Sequence, residues 1–208
     1  MKRPRRDGFT LLELLLSLTL ISLITASIMG GVHLGRRSWE NSRAGEALDE
    51  IEGAVRTASK LIGASFIVIP DQTQPGRTDP SPIFIGAANG CRLVMLSEGG
   101  AQWGGLVVAE IAVDNGPNGD DLAVWTKVYR PKEGLGPARE TMRKTVILDG
   151  LAGLEFSYFG AQQPGKAPGW SSRWTSADVL PALVNIKVSA KRFGGVIEIG
   201  STVAIRQQ

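Results

Sequence analysis

The stretch that most limits what this chain can fold into runs from Gly8 to Val32, GFTLLELLLSLTLISLITASIMGGV, and follows the basic side chains of Lys2, Arg3, Arg5 and Arg6. As a helix, Phe9–Val32 would extend about 36 Å at a rise of ~1.5 Å per residue. That is enough to cross a hydrocarbon core of about 30 Å. The run holds one charge, Glu13, one turn inside its start. A carboxylate at the centre of a membrane helix costs roughly 2.5–3.5 kcal/mol on insertion scales, and near the interface it costs less because the side chain reaches toward water.

Glu13 still needs a physical reason. A cut between Gly8 and Phe9 would create an α-amine four residues before it. An amine at the same depth, on this chain or on a neighbour, would pair with the carboxylate, and two opposite charges buried together are tolerated where one alone is not. The alternatives are a plain signal-anchor with an acid near the interface, and a secretory signal peptide cut near Ala26, Ser27, Gly30 and Gly31. The second requires a shorter apolar region than this one.

The residues Gly8-Phe9-Thr10-Leu11-Leu12-Glu13 resemble the class III prepilin signal shared by type IV pilins and type II secretion pseudopilins. The resemblance covers residues 1–33. It implies cleavage between Gly8 and Phe9 by a membrane prepilin peptidase, N-methylation of the new Phe9 amine, and Glu13 as the carboxylate of subunit assembly.

Charge places the first segment and removes several classes of function. Of 23 basic and 20 acidic side chains, residues 1–8 hold four and one, so 19 face 19 in the remainder. The pI of about 9.2 is therefore a signal of a cytoplasmic N-terminus, with the chain beyond the single span in the periplasm. It is not a nucleic-acid footprint. One cysteine, Cys91, precludes an internal disulfide, and it reads as a buried strand residue. The single histidine, His33, argues against Ser–His–Asp and Cys–His catalysis and against a zinc site. Asp120, Asp121 and Glu155 are acids that a hydrolase would have to pair, and no motif joins them. No catalytic, cofactor or metal residue is assigned.

The helical pattern continues beyond the span. Ala44, Leu48, Ile51, Val55, Ala58 and Ile62 form one apolar stripe, opposite Arg43, Glu46, Asp49, Glu50, Glu52, Arg56 and Lys60. No proline lies between Pro4 and Pro70, so one helix is expected from Phe9 to Ile62, with Gly30, Gly31 and Gly35 as possible bends. Ser38, Ser42 and Gly45 give it a small-residue face suited to close helix contact.

From Ser65 onward short β-rich runs alternate with Pro/Gly loops. Strands are expected at 65–69, 83–85, 92–96, 106–113, 122–129, 146–148, 154–159 and 184–190, with a partner strand through Ile197–Ile205. Loops are expected at 70–82, 130–140 and 160–169, and Gly194-Gly195 turns the last hairpin. Residues 114–121, DNGPNGDD, cluster oxygen ligands, but Gly116 and Trp125 stand where an EF-hand needs ligands. Asn-Gly also makes an ordinary hairpin turn. The strict alternation of Val184, Ile186, Val188 and Ala190 with polar residues marks a sheet with one wet face.

The expected fold class is α+β: a long N-terminal helix, half transmembrane and half amphipathic, packed on an antiparallel β-rich head. Its segments are a leader (1–8), a transmembrane segment (9–33), a periplasmic continuation of the helix (34–63) and the head (64–208). The C-terminal third carries a second resemblance. Leu154 to Phe159, Trp170, Trp174, Leu180-Pro181 and the alternating strand are similar to the minor pseudopilin J of type II secretion. That resemblance implies a pseudopilin fold and a structural role at the tip of a periplasmic pseudopilus. The implied partners are the I-, K- and H-type minor pseudopilins, the major pseudopilin, the prepilin peptidase and inner-membrane lipid. The two Trp residues read as core or loop packing, or as anchors for a partner. A minor pilin of a type IV pilus or competence system shares the same N-terminus. A signal-anchored periplasmic enzyme is the third alternative.

Overall fold

The computed structural model describes residues 10–66, 83–97, 105–116, 119–131, 133–163, 165–176 and 179–205, with the side chains of residues 40, 41 and 44 left aside. The leader, Gly8, Phe9 and the expected loop at 70–82 lie outside the described residues, as does most of the expected strand at 65–69.

One helix, α1, spans Leu11–Gly63, 53 residues. It begins where Thr10 accepts the Glu13 backbone N–H on its hydroxyl at 3.3 Å, an N-cap bond that satisfies one of the helix's unpaired donors. Helical bonding runs through Gly30, Gly31 and Gly35. By internal packing the chain divides into two units, Met1–Glu46 and Ala47–Gln208.

In the first unit the described apolar side chains stand in the open. Leu11–Trp39 contains an 18-residue window of mean hydropathy 2.1, none of which is covered by the other described residues. Hydroxyls within the run bond to the helix's own carbonyls: Ser17 to Glu13 at 2.7 Å, Thr19 to Leu16 at 2.8 Å and Thr25 to Ile21 at 2.8 Å. Such bonds give these three donors a partner where lipid offers none.

The second unit is an α+β body. Five antiparallel strands form one sheet in the order β1-β2-β3-β4-β5: Phe84–Ala87, Gly90–Ser97, Gly105–Gly116, Gly119–Val128 and Arg143–Leu148. Four more form a second sheet in the order β7-β6-β8-β9: Gly169–Ser171, Leu151–Gly160, Leu183–Arg192 and Gly195–Ala204. The sheets meet along β1, where Gly86 and Trp174 exchange backbone bonds of 2.8 and 2.9 Å, and where the Phe156 N–H donates to Ala88.

One core joins the inner faces of both sheets to the end of α1. It contains Ile51, Val55, Ala58 and Ile62 of the helix with Phe84, Leu93, Ile111, Phe156, Tyr158 and Ile186. The buried helix stripe differs from the expected one. Ala47 and Ala54 belong to it, while Leu48 is 45 % exposed. At 3.6 residues per turn Leu48 lies about 60° round the helix from Ile51, at the margin of the contact.

The β8–β9 hairpin alternates as expected, with Val184, Ile186, Val188 and Ala190 buried. Its turn residues are Phe193 and Gly194, at φ of 52° and 78°, and Gly195 already pairs with Arg192. The turn is thus one residue earlier than expected. Two consecutive positive φ angles suit the right-handed twist of a two-residue hairpin.

The sequence 114–121 continues the β3–β4 ladder, with Asp114 opposite Asp121, Asn115 opposite Asp120 and Gly116 opposite Gly119. It is a hairpin around residues 117–118, which are themselves outside the described residues. The Asp114 carboxylate accepts from Lys144 at 2.7 Å.

Segment 130–142 is more than the expected loop. It lies across the outer face of the five-stranded sheet and buries Leu135 and Met142 against Val94, Val108, Ala112, Ala123 and Trp125 as a second, smaller core.

Candidate functional site

Of the expected assembly residues, Glu13 alone falls within the described structure. It is the third residue of α1 and is exposed. Thr10-Leu11-Leu12-Glu13 fits the Ser/Thr-x-x-Glu pattern that opens helices, a signal also present in the sequence. A carboxylate in the first turn faces the positive end of the helix dipole, so this position holds an acid at reduced cost even before a partner amine is considered. Cutting between Gly8 and Phe9 would leave Thr10 as the second residue, still able to cap.

The small-residue face is open. Ser38, Ser42 and Gly45 are exposed, and a Cβ added at Gly45 would meet nothing among the described residues within 4 Å. Gly35, Ser38, Trp39, Ser42, Arg43 and Glu46 line a concavity of about 600 Å³. Trp39 is 67 % exposed, and the Arg43 guanidinium carbon lies 5.8 Å from its ring centre.

In the head the structure separates the two Trp residues. Trp174 is fully buried and donates its indole N–H to Val179 at 2.9 Å. Trp170 is 54 % exposed on the outer face of the four-stranded sheet, 5.3 Å from the Phe159 ring. It stands at the end of a cross-strand row, since Phe159 faces both Trp170 and Leu183, and Leu183 faces Ala204. Trp174 packs the core, and Trp170 is the one presented outward.

Cys91 is buried in β2. Burial, and after it the nearby Glu110 charge, push its thiol far above the ordinary range, so it remains neutral and unreactive. Asp120 is exposed and Asp121 half-buried at the start of β4, while Glu155 is exposed in the other sheet, opposite Lys187. The structure does not bring these three together.

The one buried carboxylate described in the head is Glu110, 8 % exposed, and the sequence reading did not single it out. It accepts from Arg92 Nε at 2.9 Å and from Arg139 Nε at 2.8 Å. Arg92 also donates to the carbonyls of Leu135 at 2.7 Å and Pro137 at 3.2 Å, while the Arg139 guanidinium carbon stacks 4.4 Å from the Trp125 ring centre. Burial alone would raise the Glu110 carboxyl; hydrogen bonds from Arg139 and Arg92, together with their charges, outweigh it and hold the group below the usual carboxylate range. The cluster fastens segment 130–142 to the sheet. It borders an open groove of about 660 Å³ that also reaches Asn89, Asn115 and Asp120. Among the described residues no group of three or more His, Cys, Asp or Glu side chains gathers as a metal site.

Residues 3–29 match the family model described as the prokaryotic N-terminal methylation motif. No curated protein matches the chain significantly. The motif is the prepilin-type signal, and it points to a pilin- or pseudopilin-type structural subunit, not to an enzyme. It implies processing by a prepilin peptidase and assembly with other pilins. The exposed apolar helix and the motif together are consistent with a single-pass, membrane-anchored protein.

Proposed function

We propose that this chain is a minor pseudopilin of the J type, a structural subunit at the tip of a type II secretion pseudopilus. Its segments would be a leader at 1–8, a transmembrane helix at 9–33, a periplasmic continuation at 34–63 and a β-rich head at 64–208. Prepilin peptidase cuts between Gly8 and Phe9, the Phe9 amine is methylated, and Glu13 receives that charge, or a neighbour's, during assembly. The N-terminus begins in the cytoplasm, and the head lies in the periplasm.

The observation that carries this reading is the pairing of an apolar helix that the other described residues leave uncovered with a methylation motif that overlaps it. An apolar surface of that size is covered by lipid or by other subunits, and a pseudopilin uses both in turn. The J-type assignment is supported by the order Leu154–Phe159, Trp170, Trp174, Leu180-Pro181 and the alternating strand β8.

The test is affinity capture of the full chain from membranes of its native host, with mass spectrometry of the partners. Recovery of I- and K-type minor pseudopilins supports the tip role. Recovery of type IV pilus or competence subunits instead assigns the chain to that machinery, and recovery of neither overturns both.

A further inference from the structure

We infer that Arg36, Trp39 and Arg43 form a binding face for anionic phospholipid headgroups at the far end of the apolar helix. The proposal rests on the membrane span proposed above for residues 9–33. Three observations within the first unit carry it. The first is depth. From Leu11 to Trp39 the helix rises about 42 Å at ~1.5 Å per residue, which matches the roughly 40–45 Å of a bilayer with its headgroup layers. With Leu11 at the outer edge of one headgroup layer, about Gly35–Trp39 falls in the opposite one, and the long Arg43 side chain lies within reach just beyond it.

The second observation is the face itself. Residues 36, 39 and 43 are spaced i, i+3 and i+7 and fall on one side of the helix. The Trp39 ring is 67 % exposed, with Arg43 against it at 5.8 Å, beside a concavity that Ser38 and Ser42 also line. An amphipathic indole beside guanidinium groups suits the zone where acyl chains give way to phosphates.

The third is the sign of the charge. Between Val32 and Gly45 the sequence holds Arg36, Arg37 and Arg43 against Glu40, so this end of the span is net positive. After a cut at Gly8, the leader's four basic side chains are gone, and these arginines are the basic side chains nearest the span. A mature subunit is then held at its exit side by attraction to anionic headgroups, and leaving the bilayer requires breaking that contact.

The experiment uses the full chain in nanodiscs containing equal parts phosphatidylglycerol and phosphatidylcholine, with native mass spectrometry reading which lipids stay bound on release. The expected result is phosphatidylglycerol enrichment in the wild type. Enrichment should fall about fivefold for each arginine lost in Arg36→Gln and Arg43→Gln, and be retained in Arg36→Lys/Arg43→Lys. Resistance to alkaline extraction is measured on the same samples. A chain that washes out of the bilayer refutes the span and the proposal with it. A chain that stays embedded but binds both lipids equally, or whose preference survives the double Gln change, overturns the headgroup face alone. If the Gln changes alter self-association and leave the lipids unchanged, the face belongs to a neighbouring helix and the proposal is equally overturned.

Discussion

The Tyr158 ring fills the space where a side chain on Gly86 would begin: a Cβ there would stand 2.7 Å from both Cε1 and Cε2. Neither residue has room to yield. Gly86 is held on one edge by its two backbone bonds to Trp174 and paired on the other with Cys91, and the Tyr158 hydroxyl donates to the carbonyls of Ala87 at 2.8 Å and Gly90 at 3.2 Å. The contact ties the two sheets of the head together. Gly86→Ala should therefore cost about 2–3 kcal/mol, the upper part of the range for overpacked cores. Tyr158→Phe should cost about 1–2 kcal/mol by leaving buried carbonyls unpaired. Thermal unfolding of the detergent-solubilised full chain, followed by near-ultraviolet circular dichroism, checks both.

Glu110 gives the head a defined pH dependence. Its carboxyl is held low in the folded state by Arg139 and Arg92, so its stabilising effect is complete above the unfolded carboxyl value of about 4.3 and fades as pH falls through the lower folded value. Glu110→Gln should cost about 2–3 kcal/mol near neutral pH, less than for a fully buried pair because Arg139 stays 42 % exposed. Denaturation of wild type and variant should converge on acidification below about pH 4. A gap that stays constant down to strong acid would show that the charge of Glu110 plays no part.

Phe193 occupies a left-handed conformation, at φ 52°, that a bulky side chain adopts at a cost of about 1–2 kcal/mol. Its ring is 67 % exposed and repays little by burial. Phe193→Asn should raise the stability of the head by about 1 kcal/mol, since Asn tolerates this region. Chemical denaturation midpoints compare the two. A loss of stability would mean that the ring packs more firmly than its exposure indicates.

The sequence made some of this legible because period and punctuation are local. The helix was readable from an unbroken 3.6-residue pattern without proline, and β8 from strict alternation. Long-range partnership was not local. Nothing near Gly86 announces Tyr158 or Trp174, and the two Trp residues four apart carry the same residue type with opposite fates. Residues 130–140 read as a loop by their Pro and Gly content; only the sheet face beneath gives Leu135, and Met142 just after it, something to cover. Glu110 sits among apolar neighbours in β3, and its need for Arg92 and Arg139 follows from the register with β2 and from the returning strap. Leu48 belongs to the stripe by spacing, and it drops out because it lies at the margin of the face that the head covers.

The role proposed for Glu13 separates anchoring from assembly. Glu13→Gln keeps a hydrogen-bonding side chain at the capped start of α1, so membrane insertion and leader removal should be unchanged. Incorporation beside other subunits should fall by at least about tenfold, the equivalent of 1.4 kcal/mol or more for an unmatched amine in lipid. Co-purification with partner subunits, normalised to the amount of membrane-bound chain, measures it. Unchanged incorporation would remove Glu13 from assembly and leave it a capping residue.

The most direct test of the whole account is the identity of the first residue. The chain is purified from the membranes of a bacterium that carries a prepilin peptidase and is examined by intact mass and N-terminal sequencing. The account predicts a polypeptide that begins at Phe9 with a methylated amine. A chain that begins at Met1, or one cut near Ala26–Gly31 and released from the membrane, would contradict it.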